Sequence, residues 1–437
     1  MICRGLLLLA VCGLGFGCAD GVPAEISEPE TQSFTEPEAA PLETPMGDWS
    51  WWRGPNRNGK AADGQTLPTS WSTSKNVVWK TNVPGRGHSS PTVTGSLVVL
   101  ATADESAQTQ SVIAFDRKTG KQKWITEVSQ GGFPKTHRKN THASTTVASD
   151  GERLFATFHH HDQLTLYALD FEGNKVWKRD VGPYAPRRYE YGYAPSPLLF
   201  GSLIVVSADY EKGGYITAFD RKTGEPVWKT ERPEMLSFSS PVIADVGGKE
   251  QIFLSGCEMV ASYDPKTGQQ NWAVPGTTMA TCGTVVWDGD AIIASGGYPK
   301  SETICVKADG SKKVLWTNRQ KCYEQSLMAH EGHVYALTDK GIAYCWRVSD
   351  GEELWRERLS GPVSASPVLV GDTIYQANEK GEMFIFKANP ERYEEVARVR
   401  LGDESFASPA VCDNRMYLRV AHDQGGRRQE VLYCIGQ

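Results

Sequence analysis

Past Val77 the hydrophobic positions fall in short blocks. Leu97–Leu100, Leu203–Val206 and Ile374–Ala377 are runs of four mostly apolar residues, and Gly/Asp turn signals bound each run. Apolar runs of this length, punctuated by turn residues, predict buried strands, and no long 3.6-residue amphipathic period competes with them. The pattern predicts an all-β chain.

The blocks belong to a repeating unit. Ala114-Phe-Asp-Arg-Lys-Thr-Gly-Lys-Gln-Lys-Trp124 reads as a strand end, a tight turn and the start of another strand. Asp116 can accept hydrogen bonds from the turn's own N–H groups, Gly120 suits a position with φ > 0, and Trp124 supplies a large apolar plate. The unit returns at Ala218…Trp228 and Ser262…Trp272, and more loosely at Ala168…Trp177, Lys307…Trp316 and Val348…Trp355. A spacing of about 40–50 residues marks a repeat architecture.

Each unit predicts four strands. The inner strand opens on a Ser-Pro-like start, as at Ser89-Ser-Pro91, Ser240-Pro241, Ala365-Ser-Pro367 and Ala407-Ser-Pro409. Ser-rich starts such as Ser237-Phe-Ser-Ser240 read as inner-strand packing. Trp79, Trp124, Trp177, Trp228, Trp272, Trp316 and Trp355 mark fourth strands that pack between blades, and Val396 marks a degenerate eighth. Trp79 has no repeat before it, and the last unit ends on a third strand, Val431–Ile435. The orphan strand and the missing strand complete each other, which closes a ring and removes an exposed edge. The expected fold is an eight-bladed β-propeller of four-stranded blades over residues 76–437, closed by an N-terminal strand clasped into the last blade.

The Ala-x-Asp-x-x-Thr-Gly-x-x-x-Trp units resemble the pyrroloquinoline-quinone-like propeller repeat. Eight of them behind a lipoprotein-like leader resemble the BamB family of outer-membrane β-barrel assembly. Trp52-Arg-Gly-Pro-Asn-Arg-Asn-Gly59 and Pro84-Gly-Arg-Gly-His-Ser-Ser-Pro91 resemble secreted propellers of planctomycete-type bacteria. Such a repeat speaks for fold more than for function.

Three segments precede the propeller. Residues 1–18 combine Arg4, the apolar run Leu6–Val11 and small residues ending in Gly17-Cys18, which reads as a secretory signal and resembles a lipoprotein processing site with Cys18 lipidated. Residues 19–47, rich in Glu, Pro, Thr and Ala, read as a disordered tether. Residues 48–75 open on Trp49, Trp51 and Trp52 and read as a plug packed on the fold rather than as a ligand-stacking site. The chain holds 46 basic and 52 acidic residues, but eight of the acidic ones fall between Ala19 and Trp52, where there is no Lys or Arg. The repeat region is therefore near neutral.

Chemistry-bearing motifs are sparse. Resemblance to the quinone enzymes of this repeat implies an adjacent Cys-Cys pair and acidic and amide ligands for Ca²⁺; here no two cysteines adjoin, and no C-x-x-C-H haem attachment exists. Neither pyrroloquinoline quinone nor Ca²⁺ is expected as a cofactor, with a quinone-dependent dehydrogenase kept as the alternative function. No P-loop and no G-x-S-x-G occurs. Cys257, Cys282, Cys305, Cys322, Cys345, Cys412 and Cys434 are odd in number and match no zinc spacing. Strand alternation puts His159 and His161 on one side, with His137 and His142 on the preceding loop, a weak metal set that no carboxylate completes.

The long loops are expected on one propeller face. Loops 130–142 and 183–193 bring Lys135, His137, Arg138, Lys139, Arg187 and Arg188 beside Tyr184, Tyr189, Tyr191 and Tyr193, with Arg86, His88, Arg427 and Arg428 on the same face. Positive charge and aromatic surface gathered on a near-neutral domain make this the expected face for an anion-bearing partner. The expected function is a non-catalytic, monomeric scaffold in the periplasm or at the outer membrane. It binds a protein partner or an anionic glycan, touches the membrane through its N-terminal lipid only, and binds no nucleic acid.

Overall fold

The computed structural model describes residues 26–35, 42 and 47–437. The leader and Cys18 lie outside them.

Eight four-stranded antiparallel units make up the molecule. The first runs through Thr92–Thr94, Leu97–Asp104, Thr109–Asp116 and Gln122–Gln130, in that order from the inside out. Six more blades follow in sequence with the same order. The eighth holds Ala410–Cys412, Arg415–Asp423 and Arg428–Ile435, and its outer strand is Val77–Val83 from the start of the propeller. Trp79 pairs with Cys434 and Thr81 with Leu432, so the ring closes as the sequence predicts. The degenerate outer strand at Val396 is Glu395–Arg400 of the seventh blade.

The repeat unit shows why its residues recur. Asp116 Oδ1 accepts from the N–H groups of Lys118 at 3.2 Å and Thr119 at 2.9 Å, and from the Thr119 hydroxyl at 2.8 Å. Asp220 and Asp264 hold their turns in the same way. Gly120 has φ of 69°, as a tight turn requires. It has a second reason to be glycine, because a Cβ there would lie 2.4 Å from Trp79 Cε3. Each outer-strand Trp reaches over to the next blade's turn. Trp79 Nε1 donates to Arg117 O, Trp124 to Phe171 O, Trp316 to Val348 O and Trp355 to Asn389 O. Trp272 departs from this and donates to Gln251 Oε1 within its own blade.

Residues 48–61 do more than pack on the fold: they cross the channel between the inner strands. Trp49 pairs with Val93 of the first blade, Ser50 O accepts from Ser149 N of the second, and Lys60 bridges to Leu369 of the seventh. Arg53, 3% exposed, donates to Leu327 O at 2.9 Å and to Pro367 O at 2.8 Å. Burial of this charge draws its pKa down to about 9.

One part of the expected tether is ordered. Thr31–Ser33 pairs antiparallel with the outer strand Pro226–Glu231 of the third blade and makes that sheet five-stranded. The composition of 19–47 offers little to bury, but an open strand edge offers backbone partners that composition does not register. Ile26 packs beside this sheet.

Candidate functional site

Inner strands all begin at the same end of the channel, opposite the Asp–Gly turns. Each begins near a Ser or Thr, and these hydroxyls form a ring. The N–H of Ser90 donates to Thr146 Oγ1, Thr146 to Ser196 Oγ, and Ser196 to Ser240 Oγ. Thr284 donates to Ser326 Oγ, Ser326 to Ser366 Oγ, Ser366 to Ser408 Oγ, and Ser408 to Ser90 Oγ, all at 2.8–3.0 Å. One link differs: Thr284 Oγ1 accepts from Trp52 Nε1 at 2.7 Å, so the plug reaches the ring there. The serines read from sequence as packing residues are thus a hydrogen-bonded girdle through all eight blades.

Above the girdle lies a cavity of about 260 Å³ with Trp52 at its lining. Part of its wall is aromatic. His88 stacks on Phe406 with ring centroids 4.3 Å apart; Tyr191 meets His137 at 5.1 Å and Phe238 at 6.2 Å; Tyr298 and Tyr323 complete the wall. Lys139, Glu324 and Ser364 form a charged cluster in the wall, with Glu379 behind it. Lys139 Nζ lies 2.6 Å from Glu379 and 3.4 Å from Glu324, and Ser364 Oγ sits within hydrogen-bond distance of both carboxylates, with one proton to share between them. Burial raises the Glu324 pKa above the ordinary carboxylate range, although Ser364 and Lys139 pull the other way. Burial, with Arg86, Arg419 and Arg428 nearby, holds His88 neutral by lowering its pKa well below 6.5. His137 is lowered by burial and by Arg138 and Lys139.

The residues expected at the loop face divide into three sets. His88, His137, Lys139 and Tyr191 line the cavity, and Tyr189 stands beside it, its hydroxyl 3.2 Å from that of Tyr298. Tyr184 and Tyr193 are not surface residues: they are 0% and 5% exposed and pack in the core of the second and third blades. Most of the cations carry carboxylate partners, Arg86 with Glu105, Lys135 with Glu190, Arg187 with Asp162, and Arg428 with Glu404 and Glu430. Arg188 lies over the Tyr189 ring. Arg138 and Arg427 are exposed and have no carboxylate partner among the described residues. The concentrated positive field expected from sequence is therefore largely neutralised by acids from neighbouring loops.

The histidine set does not converge. The strand ends at His160, and His161 sits in the turn with φ of 50°, so strand alternation does not extend to it. His159 is buried edge-on against Tyr184, His161 lies against Gly132, and His142 packs on Phe133. Among the described residues no group of three His, Cys, Asp or Glu could hold a metal ion. The seven later cysteines are all free.

Sequence reasoning missed Trp52, Phe238, Tyr298, Tyr323, Phe406 and Glu324 as cavity residues. The signal available for Phe238 and Phe406 was their place two residues before a Ser-Pro start.

Comparison with known proteins fits this geometry. The sequence profile of the family described as "Outer membrane protein assembly factor BamB" matches residues 61–191, 110–357 and 321–391. The chain belongs to that family. The outer membrane protein assembly factor BamB of Burkholderia pseudomallei is 24% identical over 386 residues, covering 74% of this chain and 92% of that protein. Among solved structures, the quinohemoprotein alcohol dehydrogenase ADHIIG of Pseudomonas putida superposes with a TM-score of 0.60 at 11% identity, over 89% of this chain and 80% of that one. The corresponding enzyme of Comamonas testosteroni gives 0.60 at 13% identity with the same coverage. At such identity the likeness is one of fold.

Proposed function

We propose that this protein is a non-catalytic, extracytoplasmic scaffold. It presents the loop face of the propeller to a protein partner at the cell envelope and is anchored through a lipid on Cys18. Family membership across residues 61–391 is the observation that carries the reading. The local geometry agrees with it. The channel is blocked by residues 48–61, and the long loops gather around the cavity mouth, where a rigid ring positions them.

The cavity's donor set speaks against a quinone cofactor. A carboxylate-bearing quinone asks for unpaired cations, and Lys139, the cation in the wall, is already held by Glu324 and Glu379. Cys282 stands alone in the lining, with no adjacent cysteine to make a pair. The purified protein should neither retain pyrroloquinoline quinone nor oxidise alcohols or aldoses when supplied with it, Ca²⁺ and an artificial electron acceptor.

The test is recovery of the partner. Full-length protein carrying a C-terminal tag is isolated from envelopes after mild cross-linking, beside an Arg138→Ala, Arg187→Ala, Arg188→Ala triple variant. The reading expects a specific envelope protein with the parent chain, weaker recovery with the variant, and an unchanged melting temperature. Equal recovery of the same partner by both chains would reject the loop face as the docking surface.

A further inference from the structure

The eight girdle hydroxyls have an unspent capacity. Each accepts one hydrogen bond, seven from a backbone N–H of the preceding blade and Thr284 from the Trp52 indole. A hydroxyl also donates, and among the described residues no protein acceptor takes the O–H of Ser90, Thr146, Ser196, Ser240 or Ser408, all five of which line the cavity. Convergent donors therefore meet a ligand at the girdle. At the wall the chemistry reverses: Glu324 lines the cavity, and the one ammonium there, Lys139, is already paired with Glu324 and with Glu379 behind it. His88 adds a buried Nε2 without a partner in the protein. Aromatic faces enclose the space between.

We propose that this cavity binds a neutral sugar ring, a pyranose that stacks its C–H faces on the aromatic wall. A pyranose hydroxyl both accepts and donates. It can accept a hydrogen bond from a girdle hydroxyl and donate one to Glu324 or to neutral His88, which neither an acceptor-only anion nor a purely apolar ring can do. The cavity, of about 260 Å³, sets the aromatic side chains Trp52, Tyr191, Phe238, Tyr298, Tyr323 and Phe406 against fixed polar groups. An anionic sugar is disfavoured, because its carboxylate or sulfate would face Glu324 in a partly desolvated site where Lys139 is already paired with two carboxylates. The proposal does not rest on the scaffold reading, since it is argued from the girdle and the aromatic wall rather than from the exposed arginines of the loops.

The full chain is titrated by calorimetry with methyl glucoside, methyl galactoside and N-acetylglucosamine, and with glucuronate as the anionic counterpart. A glycan array bearing neutral hexose and N-acetylhexosamine termini separates a free sugar from a chain end. Phe238→Ala and Glu324→Gln test the wall, and thermal melting of each variant distinguishes lost binding from lost fold. For folded variants we expect binding of at least one neutral probe that weakens tenfold or more in each. Glu324→Gln should not convert the site to glucuronate. Should Glu324→Gln fail to fold, Ser364→Ala, which removes the hydroxyl shared by both carboxylates, takes its place with the same expectation. Absence of binding to every neutral probe and array glycan, preference for glucuronate, or affinity unchanged in the folded variants would each overturn the proposal.

Discussion

The backbone N–H of Ser408 donates to Ser90 Oγ at 3.0 Å, across 318 residues of chain. This contact joins the last inner strand to the first and carries the girdle across the ring seam. Closure at the inside thus adds to closure at the outside, where Val77–Val83 pairs with Arg428–Ile435.

Ser90→Ala should leave the buried Ser408 N–H without a partner. An orphaned buried donor costs about 1–3 kcal/mol, so the urea midpoint should fall while the slope of the transition stays constant. Ser90→Thr retains the acceptor and should lie closer to the parent. Equal stability of the alanine variant and the parent would mean that water replaces the bond freely.

Gly120→Ala tests the contact between neighbouring blades. The substitution strains a backbone at φ 69° and drives a Cβ into the Trp79 indole. Strain and overpacking together should cost roughly 2–4 kcal/mol. Pairing Gly120→Ala with Trp79→Ala should recover part of that loss, as a double-mutant cycle would record.

Truncation separates the N-terminal segments. Removing residues 1–47 deletes three paired residues on an outer edge and should shift the melting temperature little. Removing residues 1–61 takes away Arg53 and the inter-blade contacts of the plug, so melting should fall markedly. Removal through Val83 should expose the Arg428–Ile435 edge and cause aggregation, visible by light scattering. Equal melting of all three truncated chains would contradict the clasp.

His159 gives a pH dependence with a definite sign. Burial lowers its pKa from 6.5 to about 4, so the unfolded chain binds the proton first as pH falls. Stability from this group is present above pH 6.5 and is lost progressively toward pH 4, by roughly 3 kcal/mol at most. His159→Phe keeps a ring against Tyr184 and should flatten the stability profile between pH 6.5 and 4. An unaltered slope would show that another group dominates acid unfolding.

The blade turns were legible in the sequence because their bonds are local. Asp116, Thr119 and Gly120 satisfy one another within five residues, and each copy does so again. The ring closure was legible because an unmatched strand at each end implies a pair. The plug's route was not, because Arg53 is held by carbonyl oxygens of Leu327 and Pro367, groups that every strand offers. The loop-face charge was misjudged for a related reason. Lys139 looks free in its own loop, and its partners Glu324 and Glu379 come from the sixth and seventh blades. Tyr184 and Tyr193 share a loop with exposed arginines but point into the core, a distinction set by packing rather than by composition.

The scaffold reading is tested most directly by site-specific photocross-linking in cells, with the photoreactive residue at Arg138 on the loop face or at Lys118 on an Asp–Gly turn of the opposite face. We expect a discrete envelope-protein adduct from position 138 and none from position 118. Adducts from position 118 alone, or none from either position, would contradict the account.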